Sequence, residues 1–424
     1  MRTIQIPYYK DHMDLHVDEK NLKAVITAEA EGFDPGKTEE ELVRDALANP
    51  IGTPRLRELA RGKNKITIVT SDHTRAVPSK LTLPILLEEI RKGAPDAEIT
   101  ILIGTGLHRP TTEEEQRAMF GDAIVDNERI VVNRCNEEDE FTFMGILPSG
   151  AEFHVNKVAA ECDLLITEGF IEPHFFAGFS GGRKSILPGV CNAATVNENH
   201  SYKAIGTPFS VAGVLEHNPI HEDMVVAARM VNVQFILNVA LNGEKKVIGA
   251  WAGDLEQAHA VGVSFVRGLA QKPVVTGDIV ITSNGGYPLD QNVYQSPKAV
   301  ATAEACAGED GVIIITASCC DGMGGANFGK LMKMGTPEEI DAFLSKIPPK
   351  ESISEQWSAQ IYARVLMKHK VILVTTFMDT SEVESANMIH AKDVDEALEK
   401  AYEIKGRDAS VVVIPDGVAV LAVK

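Results

Sequence analysis

The chain has 424 residues, more than one hydrophobic core usually accommodates, so its length favours two or three domains. With 44% hydrophobic and 24% charged residues, its composition is that of a globular protein that buries a substantial core. The net charge of −19 argues against nucleic acid or an anionic membrane as the main partner, because phosphate groups repel such a surface. A small anionic substrate stays compatible with this charge, since a local cluster of basic side chains can bind it.

The sequence carries no sign of export or membrane insertion. Residues Met1–Lys10 contain no apolar signal-peptide core, and no stretch reaches the roughly 18–20 uninterrupted apolar residues of a membrane span. Six cysteines are scattered without paired spacing, which is typical of small core residues rather than of a disulfide framework. We therefore expect a cytoplasmic protein with no membrane partner.

Short runs of Val, Ile and Leu alternate with helical patterns along the chain. The runs are continuous, which is typical of parallel strands covered on both faces. Helical patterns lie between them, for example at Pro84–Lys92 and Leu255–Leu269. The predicted strands are, in chain order, Ile66–Thr70, Ile99–Ile103, Leu164–Thr167, Phe235–Val239, Ile279–Thr282, Val312–Thr316, Val371–Val374 and Ser410–Pro415. This rhythm predicts an α/β fold with mostly parallel sheets.

A domain boundary is expected near Gln271–Pro273, between a long predicted helix and a new strand. This divides the chain into a first α/β domain at residues 1–270 and a second at residues 275–424. The last predicted strand could return to the first domain. We expect the active site in the cleft between the two domains.

Polar and glycine-rich segments follow several of the predicted strands directly. They are Ser71–Arg75, Gly104–Arg109, Glu168–His174 and Ser283–Tyr287. In open α/β sheets, ligands bind at the carboxyl ends of strands. Reactive residue types placed repeatedly at these positions indicate a binding site, and the alternative is that the loops are simply polar.

The segment His174–Ser185 is rich in glycine and contains a basic pair. It does not fit a phosphate-binding P-loop, because Arg183 occupies the second glycine position counted from Gly178. A nucleoside triphosphatase is therefore not expected. Arg183 could lower the pKa of the neighbouring Lys184 amine and free it for covalent chemistry, although a solvated basic pair at a helix start explains the same residues.

Several histidines are candidate ligands or bases, although a single histidine is more often a structural polar residue. Three of them lie in polar segments: His108, His174 and His200. His217 and His221 have the spacing of a zinc pair on a helix. Pro219 lies between them and no acidic residue takes the general-base position, so we interpret this pair as structural.

Two further segments suit an anionic ligand. Ser71–Arg75 is typical of an anion-binding turn, with Arg75 as a fork for carboxylate or phosphate. Tyr294 and Lys298 are four residues apart, so on one helix they would share a face and could grip a carboxylate.

Taken together, these segments resemble the nickel-dependent lactate racemase family. The matching motifs occur in order over essentially the whole chain, which makes chance agreement negligible. They are Ser71–Arg75, Gly106–Pro110, His174–Ser185, Asn199–His200, Asn284–Asn292, Tyr294 with Gln295 and Lys298, and Gln356–Gln360.

The resemblance implies a cofactor and a set of site residues. The cofactor is nickel(II) pyridinium-3,5-bisthiocarboxylate mononucleotide, a pyridinium mononucleotide whose two sulfur-bearing arms hold nickel. By this resemblance, Lys184 tethers the cofactor through a thioamide, His200 is the nickel ligand, and His108 and His174 are the two catalytic acid/bases. The matching cofactor-binding positions are Asp72, His73, Thr74 and Arg75, and the matching substrate-binding positions are Arg75, Tyr294, Gln295 and Lys298.

The chain departs from the family pattern at Ser296-Pro297, directly before Lys298. A proline there is expected to alter the local helix geometry and could retune the pocket. The substrate implied by the resemblance is a small 2-hydroxy acid, with lactate first. Malate, a longer aliphatic acid or a sugar acid is the alternative.

The implied reaction explains the residue types. Removing a proton from carbon 2 of lactate is difficult, because the carboxylate stabilises a carbanion poorly. Moving a hydride to the cofactor gives a planar 2-keto acid instead, and two histidines with pKa values near 6.5 suit the accompanying transfer of the hydroxyl proton. Enzymes that build the cofactor are implied partners. A zinc hydrolase using the three histidines and a cofactor carrier are the alternatives from other classes.

Overall fold

The computed structural model describes residues 1–423, which form two α/β bodies, each built around a six-stranded sheet. A hairpin opens the chain and is followed by a short third strand. These elements are β1 (Arg2–Tyr8), β2 (Asp11–Val17) and β3 (Leu22–Val25). All three lie against the second body described below.

The first body contains ten strands between residues 65 and 253. Its central strands are continuous Val, Ile and Leu runs covered on both faces, as the sequence predicts. The strands are β4 (Lys65–Ser71), β5 (Glu98–Gly104), β6 (Arg129–Val132), β7 (Phe141–Ile146), β8 (Glu152–Asn156), β9 (Leu164–Phe170), β10 (Pro173–His174), β11 (Gly178–Phe179), β12 (Val233–Leu241) and β13 (Val247–Gly253).

Six of these strands form the first sheet, in the order β13-β12-β9-β4-β5-β6. Neighbouring strands are parallel except for the antiparallel pair β12 and β13. Strand β4 therefore has β9 on one side and β5 on the other. The carboxyl ends of these three strands lie side by side, and the segments that follow them meet at one edge of the sheet.

The helices of the first body pack on both faces of the first sheet. They are α1 (Glu39–Ala48), α2 (Leu56–Leu59), α3 (Ser79–Gly93), α4 (Glu113–Phe120), α5 (Asp122–Asn127), α6 (Lys157–Ala160), α7 (Ala193–Asn199), α8 (Tyr202–Ile205), α9 (Pro219–Met230) and α10 (Gln257–Ala270). Helix α3 begins five residues before the predicted start at Pro84 and contains this proline in its interior.

The second body follows directly after α10. Its strands are β14 (Gln271–Pro273), β15 (Gly277–Ser283), β16 (Ala307–Thr316), β17 (Lys370–Val374), β18 (Ile389–Ala391), β19 (Val411–Ile414) and β20 (Leu421–Val423). Its helices are α11 (Pro297–Cys306), α12 (Ala326–Met332), α13 (Pro337–Leu344), α14 (Gln356–Leu366), α15 (Thr380–Ser385) and α16 (Val394–Lys405).

The second sheet is parallel throughout, in the order β18-β17-β16-β15-β19-β3. The β1–β2 hairpin covers one face of this sheet, where Ile6 and Leu15 are fully buried in one apolar cluster with Ile281 and Ile314. The two-domain α/β fold with mostly parallel sheets is thus the one that the sequence predicts.

The ends of the predicted domains need correction. Residues 2–25 were assigned to the first domain, but β3 pairs with β19 and the hairpin packs on the second sheet. The strand predicted at Ser410–Pro415 does not return to the first domain, because β19 pairs with β15 and β3. Leu421 and Val423, in β20, pack against an apolar cluster of first-body residues such as Ile171 and Phe179. Long-range pairing of this kind leaves no local pattern in the sequence.

Among residues 1–423, no helix combines the length and the apolar character needed to cross a membrane. All six cysteines are free thiols.

Candidate active site

A cavity lies at the edge of the first sheet where β9, β4 and β5 end. Its empty volume, which includes space open to solvent, is about 1110 Å³. The second body closes it with Tyr294, Gln295 and Lys298 and with Trp357 of α14. The site therefore lies between the two bodies, as predicted.

His108 follows β5 and is held by a carboxylate from the loop after β4. Its Nδ1 lies 2.6 Å from Oδ2 of Asp72, so the Nδ1–H donates to the carboxylate and the basic lone pair stays on Nε2. The hydroxyl and the amide of Thr74 donate to the other oxygen of Asp72, at 2.6 and 2.9 Å. Burial opposes ionisation of Asp72, but His108 beside it outweighs burial and holds the pKa of this carboxyl well below its usual range. The pair orients one imidazole with a defined tautomer.

His174 follows β9 and contacts Lys184. The Nε2 of His174 lies 3.1 Å from Nζ of Lys184, and its Nδ1 accepts the amide N–H of Ala177 at 3.2 Å. Burial, followed by the charge of Lys184, lowers the pKa of His174 well below its ordinary value. The expectation of two histidine pKa values near 6.5 is therefore wrong for His174 in this state.

Lys184 is a partly buried amine in a cationic surrounding. Burial lowers its pKa well below the ordinary lysine value, and the charges of Arg183, Arg75 and Lys298 lower it further. The explanation of Lys184 as a solvated basic residue is thus wrong. A lowered pKa raises the fraction of the amine that is uncharged and nucleophilic, so this lysine is suited to covalent attachment of a ligand.

His200 closes the helix α7 and is 3% exposed. Its ring lies between two aromatic rings, with centroid distances of 5.0 Å to Phe176 and 4.8 Å to Trp357. Burial, with the charge of Lys184, lowers its pKa to about 3, so the ring is neutral. Its Nδ1 is buried and has no hydrogen-bond partner in the described part of the chain. A neutral imidazole with an unused nitrogen is the state that a metal ligand requires.

The second body contributes a lysine at the start of a helix. Lys298 lies in the first turn of α11, directly after Pro297. Burial, followed by the charge of Arg75, lowers its pKa to about 8. Tyr294 belongs to a separate 3₁₀ turn, so it does not share one helix with Lys298 as expected, although both line the cavity.

Pro297 does not distort this helix. It is the first residue of α11, where its missing N–H costs no hydrogen bond and its fixed φ suits a helix start. The expected disturbance of the local helix geometry is therefore not found.

Cations outnumber carboxylates in the walls of the cavity. Arg75, Lys184 and Lys298 face Asp72 and Glu172 there, and Asp72 is already paired with a histidine. A chain with a net charge of −19 thus concentrates positive charge at this place. The cavity suits an anionic ligand.

Most predicted site residues meet in this cavity, but two do not line it. The predicted residues that line the cavity are Asp72, Arg75, His108, His174, Lys184, His200, Tyr294, Gln295 and Lys298. Thr74 lies behind Asp72 and supports it, while Nδ1 of His73 lies 3.1 Å from the Thr111 hydroxyl, outside the lining. Direct cofactor contact by His73 or Thr74 therefore finds no support in this geometry.

Three aromatic or acidic residues are prominent among the lining residues that were not singled out from the sequence. They are Glu172, Phe176 and Trp357. Phe176 lies inside the motif His174–Ser185, and Trp357 is one of two tryptophans in the chain, so motif membership and rarity were available signals. Glu172 carried no signal beyond its place after a strand.

The three histidines do not form a zinc site by themselves. In the described part of the chain, no group of three or more His, Cys, Asp or Glu side chains is arranged to hold a metal ion. His217 lies before the start of α9 and His221 lies within it, so they are not a pair on one helix.

Two family models match the chain. The model described as the lactate racemase N-terminal domain matches residues 8–213, and the lactate racemase C-terminal domain matches residues 272–422. Lactate racemases from Thermoanaerobacterium thermosaccharolyticum and Lactiplantibacillus plantarum are each 47% identical to the chain over 422 residues. These alignments cover 99% of the chain and 99% and 100% of the two relatives.

Solved structures agree with these matches. The lactate racemase apoprotein from T. thermosaccharolyticum superimposes with a TM-score of 0.96 at 46% identity, covering all of both chains. A Thermotoga maritima protein superimposes with a TM-score of 0.67 at 20% identity, covering 91% of this chain and 98% of its own. At this identity, the likeness to the T. maritima protein shows that the two proteins share a fold.

Proposed function

Because the chain belongs to the lactate racemase family, we propose that it interconverts the two enantiomers of a small 2-hydroxy acid, with lactate as the first candidate. The observation that carries the proposal is the meeting of His108 and His174 in one cationic cavity. They come from strands on opposite sides of β4, whose own loop supplies Asp72 and Arg75. In such a site, one histidine can act on each side of a planar intermediate.

Arg75, Gln295 and Lys298 would bind the substrate. Arg75 and Lys298 offer two cations to one carboxylate, and the guanidinium of Arg75 bonds otherwise only to Thr74. Gln295 adds an amide that can bond the hydroxyl or the carboxylate. Held in this way, the substrate presents its 2-hydroxyl to a histidine.

The residues present fit the cofactor that the family implies, the nickel(II) pyridinium-3,5-bisthiocarboxylate mononucleotide. Lys184 would hold it covalently through its amine, whose pKa is lowered, and His200 would ligate the nickel through its neutral imidazole. When bound, the cofactor supplies a reversible acceptor for the hydride of carbon 2. The basic side chains in the cavity walls suit the phosphate of a mononucleotide.

His108 and His174 would move the hydroxyl proton. His108 presents a basic Nε2 because Asp72 holds its Nδ1–H, so it can accept the proton as the hydride leaves. His174 must donate a proton in one direction and accept it in the other. Acylation of Lys184 would remove one of the charges that depress the pKa of His174, and the substrate carboxylate would offset those of Arg75 and Lys298. The loaded site would thus bring this pKa back toward neutrality.

A racemase or epimerase of malate, a longer aliphatic acid or a sugar acid would use the same residues. Assignments from other classes fit less well. For a zinc hydrolase, residues 1–423 offer no group of three or more His, Cys, Asp or Glu side chains arranged to hold the metal. A cofactor carrier would need neither the paired histidines nor the cations that bind the substrate. Activation would require the enzymes that build the cofactor. The cytoplasmic location stays a prediction.

The test is racemisation by protein produced with and without the cofactor-building enzymes. We expect the loaded protein to convert pure L-lactate or pure D-lactate to an equal mixture, as measured by chiral chromatography. We expect a mass adduct in the loaded protein and none in Lys184→Ala, which should be folded but inactive. Full activity without an adduct would refute the tether. A loaded protein that turned over malate or a sugar acid but not lactate would refute the substrate alone.

A further inference from the structure

Arg183, which directly precedes Lys184, is buried in the protein interior without contributing to the cavity wall. It is 1% exposed, and none of its hydrogen bonds goes to a carboxylate among residues 1–423. Taking a charge out of water is costly unless the charge is paired. If the side chain at position 183 only filled space in the core, an apolar residue would therefore be favoured there. Burial is expensive enough here to lower the pKa of Arg183 to about 9.

The guanidinium bonds instead to the backbone of one turn. Its Nη2 donates to the carbonyl of Ala177 at 2.9 Å, and its Nη1 donates to the carbonyls of Ser180 and Gly181 at 3.3 and 3.2 Å. The Nε2–H of His259 also donates to the Ser180 carbonyl, at 2.8 Å. Buried carbonyl groups need such partners, and one planar side chain supplies them for three residues.

The turn has no room to relax around Arg183. Gly182 has φ +52°, and a Cβ there would lie 3.1 Å from the ring of His259. Its N–H donates to Oδ1 of Asn238 at 2.8 Å. The backbone from 177 to 182 is thus held at its carbonyls by Arg183 and at an amide by Asn238.

Both ends of this turn carry proposed active-site groups. The carbonyl of Ala177 is bound by Arg183, and the N–H of the same residue donates to Nδ1 of His174. Lys184 directly follows Arg183, and its Nζ lies 3.1 Å from Nε2 of His174. The turn therefore decides where this amine and this imidazole meet and which nitrogen of His174 faces the amine.

We propose that Arg183 is a positioning residue that fixes the 177–182 turn and thereby the relative placement of His174 and Lys184. The inference rests on the proposed function for the roles of these two residues. Arg183 does not line the cavity, so its loss should disturb cofactor attachment and turnover rather than substrate binding.

The test compares Arg183→Met, which removes every donor, with Arg183→Lys, which keeps the charge and part of the donor capacity. Arg91→Met is the control, because Nη1 of Arg91 also donates to backbone carbonyls, those of Ala97 and Pro95, in a loop away from the cavity. Unlike Arg183, Arg91 is partly exposed and its Nη2 also donates to Glu128, at 3.3 Å. For each variant we would measure cofactor attachment by intact mass, kcat and KM for lactate, and amide hydrogen exchange of the 177–182 turn.

In Arg183→Met we expect kcat to fall by about 100-fold, the cost of roughly 1 Å of misplacement, with KM for lactate little changed. Exchange of the 177–182 amides should accelerate, and Arg183→Lys should recover part of both losses. Arg91→Met should lose stability yet keep kcat and the protection of the turn.

Normal attachment, kcat and exchange in a folded Arg183→Met protein would overturn the proposal. So would an Arg91→Met variant that loses as much kcat, or an effect confined to KM. If Arg183→Met fails to fold, Arg183→Lys decides, because unchanged exchange and kcat in a protein with fewer donors would count against positioning. If the wild type racemises no 2-hydroxy acid, the proposed function fails, while exchange in the variants still shows whether Arg183 holds the turn.

Discussion

Burial keeps the imidazole of His200 neutral, and its buried Nδ1 has no hydrogen-bond partner among residues 1–423. His221 shares these properties, with a buried Nδ1 lacking a partner and a pKa lowered to about 3, but it does not line the cavity. Neutrality alone therefore does not identify a metal ligand. We infer the ligand role of His200 from its place in the cavity together with Lys184, and His221 offers a matched control.

We predict that His200→Ala loses most of its nickel, because the metal would keep only the ligands of the cofactor. His221→Ala should keep its nickel. The measurement is the metal content per chain in loaded, folded protein, with the Lys184 adduct verified by mass. Equal nickel occupancy and activity in His200→Ala and wild type would exclude this histidine as a ligand.

Lys298 gives the site a predicted pH dependence. Its pKa of about 8 means that the ammonium is present below this pH and is lost above it, so carboxylate binding should weaken as pH rises. We predict that kcat/KM for lactate falls as pH rises through about 8, since this parameter reports the free enzyme. In Lys298→Arg the decline should be absent, because arginine stays charged. A decline of the same size and midpoint in Lys298→Arg would assign it to another group.

At the scale of elements, Glu168 joins two strands and a helix beneath the cavity. It lies in β9 and is fully buried, and its carboxylate accepts the hydroxyls of Thr70 in β4 and of Ser79 and Thr82 in α3. No cation accompanies it in these bonds. The three elements are thereby fixed at the edge of the sheet from which the site residues follow.

We predict that Glu168→Ala lowers the free energy of unfolding by about 3 kcal/mol, because three buried hydroxyls lose their shared acceptor. Glu168→Gln keeps one acceptor oxygen and should cost less. Urea denaturation of the two variants would measure the difference. A loss below about 1 kcal/mol in Glu168→Ala would show that the hydroxyls find other partners.

Local patterns predict the elements well where the strand is central. Val and Ile runs such as Ile66–Thr70 and Val312–Thr316 are covered on both faces and mark β4 and β16 within one or two residues at the carboxyl end. The polar segments after β4, β5 and β9 do meet in one cavity. The sequence did not reveal that Lys184 is partly buried, because burial depends on how the 174–185 segment folds back onto the sheet.

At the scale of the whole molecule, the chain crosses between its two bodies at both ends. Strand β3 belongs to the second sheet and the β1–β2 hairpin packs on that sheet, although the sequence placed both in the first domain. Local periodicity could not show this, because the pairing of β3 with β19 joins residues almost 400 positions apart. The domain boundary near residues 271–275 remains a proposal.

The placement of the N-terminal hairpin gives a regional prediction. Ile6→Ala should destabilise the protein by about 2–5 kcal/mol and accelerate hydrogen exchange in β15 and β16, since Ile6 is buried against the second sheet. Ile66→Ala, in β4, is the matched substitution in the first sheet and should accelerate exchange there instead. Equal acceleration in both sheets by either variant would indicate that the two bodies unfold as one unit.

The most direct test of the account measures kcat and KM from each pure lactate enantiomer for His108→Ala and His174→Ala. If each histidine serves one side of a planar intermediate, each direction needs one base and one acid. Loss of either should then lower kcat in both directions by about 10²–10⁴-fold. A histidine that only bound the carboxylate would raise KM with kcat nearly kept. A near-normal kcat in either variant at saturating substrate would contradict the two-histidine mechanism.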